Sequence, residues 1–114
     1  MTAADRLDSQ SLAAALATLP GWERDGETIR RVYRTDGWRG SMLVANAIGF
    51  ICEAADHHAD VLVTWPRVTV TLSTHSAGGV TAKDLEVARL IDGQIGWRPP
   101  AGSSLQGPER PFVE

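Results

Sequence analysis

The chain has 114 residues and a formal net charge of -3. This length fits one domain, and the acidic balance argues against a general nucleic-acid binder, which would normally present a basic face. A local group of arginines, Arg30, Arg31 and Arg34, departs from this balance, and we interpret it as a solvated strand face.

Cysteine content and hydropathy indicate the compartment. Cys52 is the single cysteine, so an intrachain disulfide is impossible. It lies in the most apolar window, from Met42 to Ala55, where a core thiol is expected. That window is too short to span a bilayer, and the first eight residues contain no apolar stretch of the signal-peptide type. We therefore predict a cytoplasmic protein without a membrane partner.

The N-terminal third predicts one helix followed by one hairpin. Its helical stripe consists of Leu12, Leu16 and Leu19, with Asp8 or Ser9 as the N-cap. Pro20 and Gly21 end this helix. The turn pair Asp25–Gly26 then favours a hairpin between strands at 22–24 and 28–34.

A long helix is predicted from about Trp38 to about Asp56, because apolar residues form two adjacent stripes along this segment. The first stripe consists of Val44, Ile48, Ile51 and Ala55, and the second of Leu43, Ala47, Phe50 and Ala54. We expect both stripes to face the core.

The second half predicts a strand at 61–64, a turn at Trp65–Pro66 and a strand from Arg67 to His75 with strict apolar–polar alternation. A last helix starts at Thr81, and Asp84 stands where a capping-box acid belongs. The order α-β-β-α-β-β-α predicts an α+β fold, a four-stranded antiparallel sheet with three helices on one face. We assign residues 1–98 to this single domain and residues 99–114 to a Pro/Gly/Ser-rich tail, mobile or laid along the surface.

The candidate chemistry depends on the histidines, which all lie between positions 57 and 75. His57 and His58 end the core helix, and His75 ends the clearest strand, so the topology brings them to one edge of the layer. Imidazole has an ordinary pKa of about 6.5, so several histidines around one substrate can supply both an acid and a base. Such a set suits an elimination reaction.

Three other interpretations of the histidines stay open. They could cap a helix dipole or simply be exposed at a strand end. A zinc site would need a fourth ligand from Asp56, Asp60 or Asp84, and it is disfavoured because adjacent helical residues point about 100° apart.

The residues also resemble a known signature, that of the pterin-4a-carbinolamine dehydratase family. The matching elements, in order and without insertion, are Glu53–His58, Trp65, the strand ending in Thr74–His75, and Val80–Asp84, with Leu19–Trp22 resembling the exit of the family's first helix. The resemblance covers roughly residues 12–93. Ala59 departs from it, because the family usually has proline after the paired histidines.

The resemblance implies the fold given above, a homodimer or homotetramer, and loss of water from 4a-hydroxytetrahydropterin to give quinonoid dihydropterin, with no metal and no added cofactor. This reaction recycles the pterin of aromatic amino acid hydroxylases. His57 and His75 become the leading proton-transfer pair, and the sequence leaves open which of them is the acid. His58 would bind or assist.

The resemblance also assigns supporting roles. Asp84 could orient His75, cap the last helix, or do both. Glu53 could contact the pterin ring, and Trp65 could line the pocket. The alternative function is a non-catalytic assembly factor or coregulator on the same fold, which would not need all three histidines.

Overall fold

A computed structural model describes residues 5–114, so residues 1–4 of the segment searched for a signal peptide lie outside it. Its helices are α1 (Ser9–Leu16), α2 (Trp38–Ala55) and α3 (Ala82–Ile95), and its strands are β1 (Glu23–Asp25), β2 (Thr28–Arg34), β3 (Asp60–Thr64) and β4 (Arg67–Leu72). All strand pairs are antiparallel, in the order β1-β2-β4-β3. The predicted fold class is confirmed. Over residues 5–114, no helix combines the length and apolarity that crossing a membrane requires.

Strand β4 lies in the interior of the sheet because its alternating residues can face the helices on one side. Val68, Val70 and Leu72 are fully buried, and their neighbours Thr69 and Thr71 point to the other face. The strand pairs with β2 along its whole length and with β3 on its other edge. The last residues of β4 therefore lie beside the first residues of β3, which follows directly after the end of α2.

Helix α2 ends where its sequence predicts. Asp56 adopts a left-handed conformation with φ of 52°, and its amide donates to the carbonyls of Cys52 and Glu53. A left-handed residue at the C-terminus reverses the chain, and its amide donates to the last free helix carbonyls. His57 and His58 consequently leave the helix axis and enter the turn that leads to β3.

Arg31 lies on the face of β2 that packs on the helices, so the expected solvated arginine face is wrong for this residue, whereas Arg34 is exposed. Arg31 lies between buried Ile29 and Tyr33 and donates to Asp92 Oδ1 on α3 at 2.8 Å. Trp22 Nε1 donates to Asp92 Oδ2 at 3.0 Å, and the Tyr33 hydroxyl also donates to this carboxylate. Because its charge is paired, Arg31 can occupy the core side of the sheet.

Most of the second apolar stripe of α2 lies outside the core, so the prediction was wrong for Leu43, Phe50 and Ala54, whereas half-buried Ala47 packs against the core. Phe50 is 76% exposed and Leu43 is 42% exposed, whereas Val44 and Ile48 are fully buried. One face of α2 meets the sheet and α3, and the second stripe is rotated about 100° from that face. An exposed apolar face on α2 follows.

The last residues of the chain dock on the domain. Thr35 forms an antiparallel bridge with buried Val113, and the Glu114 amide donates to the Arg34 carbonyl. The Arg98 guanidinium donates to the Val113 carbonyl at 2.9 Å. Since β1 pairs only with the first residues of β2, the end of the tail occupies part of the remaining edge of that strand. The division at Pro99 stays a prediction, but the end of the tail contributes to the core.

Tyr33 is the only tyrosine of the chain, so its ionisation can be followed directly. Burial first, and then the hydrogen bond to Asp92, raise the pKa of Tyr33 well above its ordinary range. The folded state therefore retains the proton, and this contribution to stability is complete below about pH 10 and is lost as the pH rises further. At pH 11 we expect the free energy of unfolding to be lower by about 1.4 kcal/mol from this group.

A spectrophotometric titration measures this effect. The tyrosinate band should be absent at pH 11 from protein that circular dichroism shows to be folded, and it should appear together with unfolding. Protein unfolded in urea is the control and should titrate near pH 10. A titration of the folded protein near pH 10 would contradict the buried Tyr33–Asp92 contact.

Candidate active site

The three histidines line one pocket of about 420 Å³, at the place where α2 ends, β3 begins and β4 has ended. Its lining consists of Asp56, His57, His58, Ala59, Asp60, Ser73, Thr74, His75, Ser76 and Lys83. This volume is within the range of small-molecule sites. The structure thus brings together the histidines that the sequence placed at one edge.

His57 is bound to a buried carboxylate. Its Nε2 lies 2.6 Å from Asp84 Oδ1; Asp84 has no exposed side-chain surface, and the His57 side chain is 13% exposed. A carboxylate only accepts hydrogen bonds, so Nε2 is the donor. Nδ1 has no hydrogen-bond partner within residues 5–114 and is the nitrogen available to a ligand.

Asp84 also caps α3. Its Oδ2 accepts the Thr74 hydroxyl at 2.8 Å and the Thr81 amide at 2.9 Å. In return the Thr81 side chain accepts a backbone amide of the first turn of α3, which completes a capping box. The two roles considered for this residue, helix cap and partner of a histidine, therefore coexist. The histidine is His57 and not His75, because the first turn of α3 packs beneath the end of α2.

His58 and Glu53 form a second pair, 2.9 Å between Nε2 and Oε1. Both side chains are exposed, so this contact contributes little to stability. Glu53 does not line the pocket itself, and it reaches the edge of the pocket through His58.

His75 differs from the expectation that it ends a strand. β4 ends at Leu72, and His75 opens a short 3-10 turn, His75–Ala77. Its position is fixed by backbone bonds, because the Thr74 amide donates to the Gly79 carbonyl and the Gly78 amide donates to His75. Its ring is exposed and has no partner among the described residues, so it is free to meet a substrate.

Trp65 is not brought to this pocket. It lies in the turn between β3 and β4, 65% exposed and near Gly37. Asp60 pairs with Thr71 at the pocket end of the hairpin, and Thr64 pairs with Arg67 beside the turn. β3 separates the two ends by about 13 Å at roughly 3.3 Å per residue. Within one chain, Trp65 cannot line the histidine pocket.

Sequence reasoning missed two lining residues that carry useful groups. The Thr74 hydroxyl contacts Asp84, and the Lys83 side chain lines the pocket beside His57. Both lie within the matching segments Thr74–His75 and Val80–Asp84, which was the available signal. Residues 5–114 contain no group of three or more His, Cys, Asp or Glu side chains placed to hold a metal ion.

A second pocket, about 350 Å³, lies between α2, the end of α3 and the tail. It is lined mainly by apolar side chains, including Leu43, Ala47, Trp97 and Phe112. Arg98 is the one ionisable residue in its lining, and its guanidinium is bonded to backbone carbonyls. The lining of this pocket therefore offers no histidine or carboxylate for proton transfer.

Fold and site together define a small α+β domain with a histidine pocket suited to acid–base chemistry. Residues 5–94 match the family model described as pterin 4 alpha carbinolamine dehydratase. The chain belongs to this family of dehydratases. The match ends within α3, so the segment that docks on β2 lies beyond it.

Individual relatives agree with this assignment. A protein of Mycobacteroides abscessus, provisionally named a pterin-4-alpha-carbinolamine dehydratase, is 44% identical over 90 residues, covering 79% of this chain and 96% of its own. A protein of Thermosynechococcus vestitus with the same provisional name is 39% identical, over 77% and 93% of the two chains. The crystal structure of a transcriptional coactivator/pterin dehydratase from Brucella melitensis superposes with a TM-score of 0.74 at 31% identity, over 78% and 97%.

The Asp84–His57 geometry predicts a change of tautomer in Asp84→Asn. The Thr81 amide must donate to the oxygen on its side, so the new amide group presents its NH2 to His57. Neutral His57 then has to accept at Nε2 and carry its proton on Nδ1, so Nδ1 can no longer accept a proton. Heteronuclear NMR of the imidazole nitrogens measures this exchange.

Glu53→Gln is the matched control, because it changes only the partner of His58. It should leave the ring nitrogens of His57 unaltered. An Asp84→Asn protein that keeps the proton on Nε2 would overturn the orientation derived for this pair.

Proposed function

We propose that the chain dehydrates a 4a-hydroxytetrahydropterin to the quinonoid dihydropterin by histidine acid–base catalysis. The observation that carries the proposal is the His57–Asp84 pair, which shares a pocket with the unpartnered ring of His75. Membership of the dehydratase family supports the choice of substrate class.

The reaction needs two proton transfers. The C4a hydroxyl leaves as water when an imidazolium protonates its oxygen, and the N5 lone pair forms the new C=N bond as the C–O bond breaks. The N5 proton then passes to a neutral imidazole, so the net change is loss of one water. Loss of water is not a net oxidation or reduction, so the proposal includes no redox cofactor.

The surroundings of the two histidines suggest how the roles divide. Asp84 stabilises the imidazolium that forms when His57 accepts a proton, as an orienting carboxylate does in other acid–base sites. We therefore assign His57, through Nδ1, as the base at N5. His75 is the remaining candidate for protonating the hydroxyl, because its exposed ring can exchange protons with solvent. His58, held by Glu53, would contact the substrate.

In this proposal the protein acts in the cytoplasm and returns pterin to an aromatic amino acid hydroxylase. It does so as a homodimer or homotetramer. The exposed apolar face of α2, with Leu43 and Phe50, supports self-association, since monomeric proteins seldom leave large apolar patches uncovered.

The description of the Brucella relative as a coactivator favours a second candidate, a coregulator on the same fold. A coregulator would not require a base held by a buried carboxylate. An assay for catalysis therefore separates the two candidates.

The decisive measurement follows the decay of freshly generated 4a-hydroxytetrahydropterin by ultraviolet absorbance. The wild-type protein should exceed the spontaneous rate of dehydration. His57→Ala and His75→Ala should each lower kcat by about 100-fold or more, because a positioned acid or base contributes roughly 10²–10⁴-fold. His58→Ala should lose less.

Arg89→Ala is the control, since this exposed residue of α3 lies outside the histidine pocket. It should keep the wild-type rate, and circular dichroism should show all variants to be folded. If the wild-type protein gave only the spontaneous rate, the enzyme proposal would fail and the coregulator would be preferred.

Sedimentation tests the oligomer separately. The wild-type protein should sediment at two or four times the 12.3 kDa chain mass. Phe50→Glu should lower that mass, because a charge on the exposed face of α2 would have to be desolvated on association. Leu105→Glu, at a position of similar exposure in the tail, should have no effect. A wild-type monomer would contradict the proposal.

A further inference from the structure

We propose that Thr74 is a positioning residue, which with Thr81 forms a directed chain of hydroxyl hydrogen bonds that aims Asp84 at His57. The chain consists of three short contacts in sequence. Thr81 Oγ1 lies 2.8 Å from Thr74 Oγ1, Thr74 Oγ1 lies 2.8 Å from Asp84 Oδ2, and Asp84 Oδ1 lies 2.6 Å from His57 Nε2. The kinetic part of this inference rests on the proposed dehydratase function.

The direction of every bond in the chain follows from counting protons. The Asp84 carboxylate only accepts, so the single hydroxyl proton of Thr74 is directed to Oδ2. Thr74 Oγ1 must then accept from the Thr81 hydroxyl. Thr81 Oγ1 in turn accepts the backbone amide of Lys83 at 3.2 Å. No group can reverse its role without breaking a neighbouring bond.

Burial makes this arrangement restrictive. Thr81 and Asp84 have no exposed surface and Thr74 is 5% exposed, so solvent cannot replace a lost partner. Oδ2 receives two donors, the Thr74 hydroxyl and the Thr81 amide, which fix the rotation of the carboxylate group. Oδ1 is left with His57 as its one hydrogen-bond partner among residues 5–114. The carboxylate can therefore orient the imidazole and not only neutralise its charge.

Thr74 also supports the second histidine. Its backbone amide donates to the Gly79 carbonyl at 2.9 Å, and its own carbonyl accepts the Ala77 amide at 3.0 Å. These bonds close the turn that begins at His75. Thr74 thus has two roles. Its hydroxyl holds the Asp84 carboxylate that binds His57, and its backbone holds the turn that begins at His75.

The first test compares Thr74→Val with Thr74→Ser. Valine has nearly the same shape and lacks the hydroxyl, whereas serine keeps it. Thr74→Val should lower kcat by about 10- to 100-fold, because misplacement of a reacting group by about 1 Å costs on this order. KM should change by less than about threefold, because the Thr74 hydroxyl donates to Asp84 and does not bind the substrate. Thr74→Ser should recover kcat to within about threefold of wild type.

The second test asks whether Thr74 acts through Asp84. In an Asp84→Asn background, Thr74→Val should cause no further loss, because the carboxylate that Thr74 positions is already absent. If the losses in kcat of the two single variants multiplied in the double variant, Thr74 would act independently of Asp84, and the inference would be wrong.

The third test does not require activity. In the NMR spectrum, the Nε2 proton of His57 should be resolved at low field in wild type and in Thr74→Ser. In Thr74→Val it should move upfield or exchange with solvent, whereas the resonances of His58 should stay in place. An unchanged His57 proton in folded Thr74→Val protein would overturn the inference. If the wild-type protein lacked dehydratase activity but showed these changes, the proposed function would fail and the positioning chain would stand.

Discussion

The buried carboxylate of Asp84 is the interaction on which the rest of the site depends. A carboxylate without exposed surface is expensive to bury unless donors surround it. Here the donors come from three separate segments: His57 after α2, Thr74 after β4, and Thr81 at the start of α3. The same charge therefore caps a helix, closes the contact between two helices and orients a histidine.

The position of β4 in the sheet brings the segments around Asp84 together. Because β4 is flanked by β2 on one edge and by β3 on the other, the residues that follow it emerge beside the turn between α2 and β3. The left-handed Asp56 ends α2 at that same place, so His57 and Thr74 both reach the Asp84 carboxylate without a long loop on either side. Short, antiparallel connections thus position the catalytic candidates, and the network around Asp92 ties the other end of α3 to β2.

Elements whose pattern depends on local geometry could be predicted from the sequence: the alternation of β4, the hairpin of β1 and β2, and the capping box at Thr81. The turn of that hairpin lies at Gly26–Glu27, one residue after the predicted pair Asp25–Gly26, because Asp25 still pairs with Thr28. Long-range pairing could not be predicted. Arg31 reaches the core side only because Asp92, 61 positions later, pairs with it. Phe50 belongs to a valid helical stripe, but periodicity does not say which of two stripes meets the sheet. The choice of His57 over His75 for Asp84 likewise depended on how α2 and α3 pack, which spacing alone does not encode.

The two proposed proton-transfer residues differ in their surroundings, because the ring of His57 is held by a carboxylate and the ring of His75 is exposed. A base that must accept a proton from one atom benefits from a fixed ring, and His57 is held by a carboxylate that is itself immobilised. A residue that protonates a leaving hydroxyl must be recharged from solvent after each turnover, so an exposed ring on a short turn is an advantage for His75. Because Asp84 serves both the fold and His57, changing it alters stability and chemistry together. The hydroxyl of Thr74 is the point at which the two contributions can be separated, since its backbone supports the turn at His75 and its side chain acts on the carboxylate.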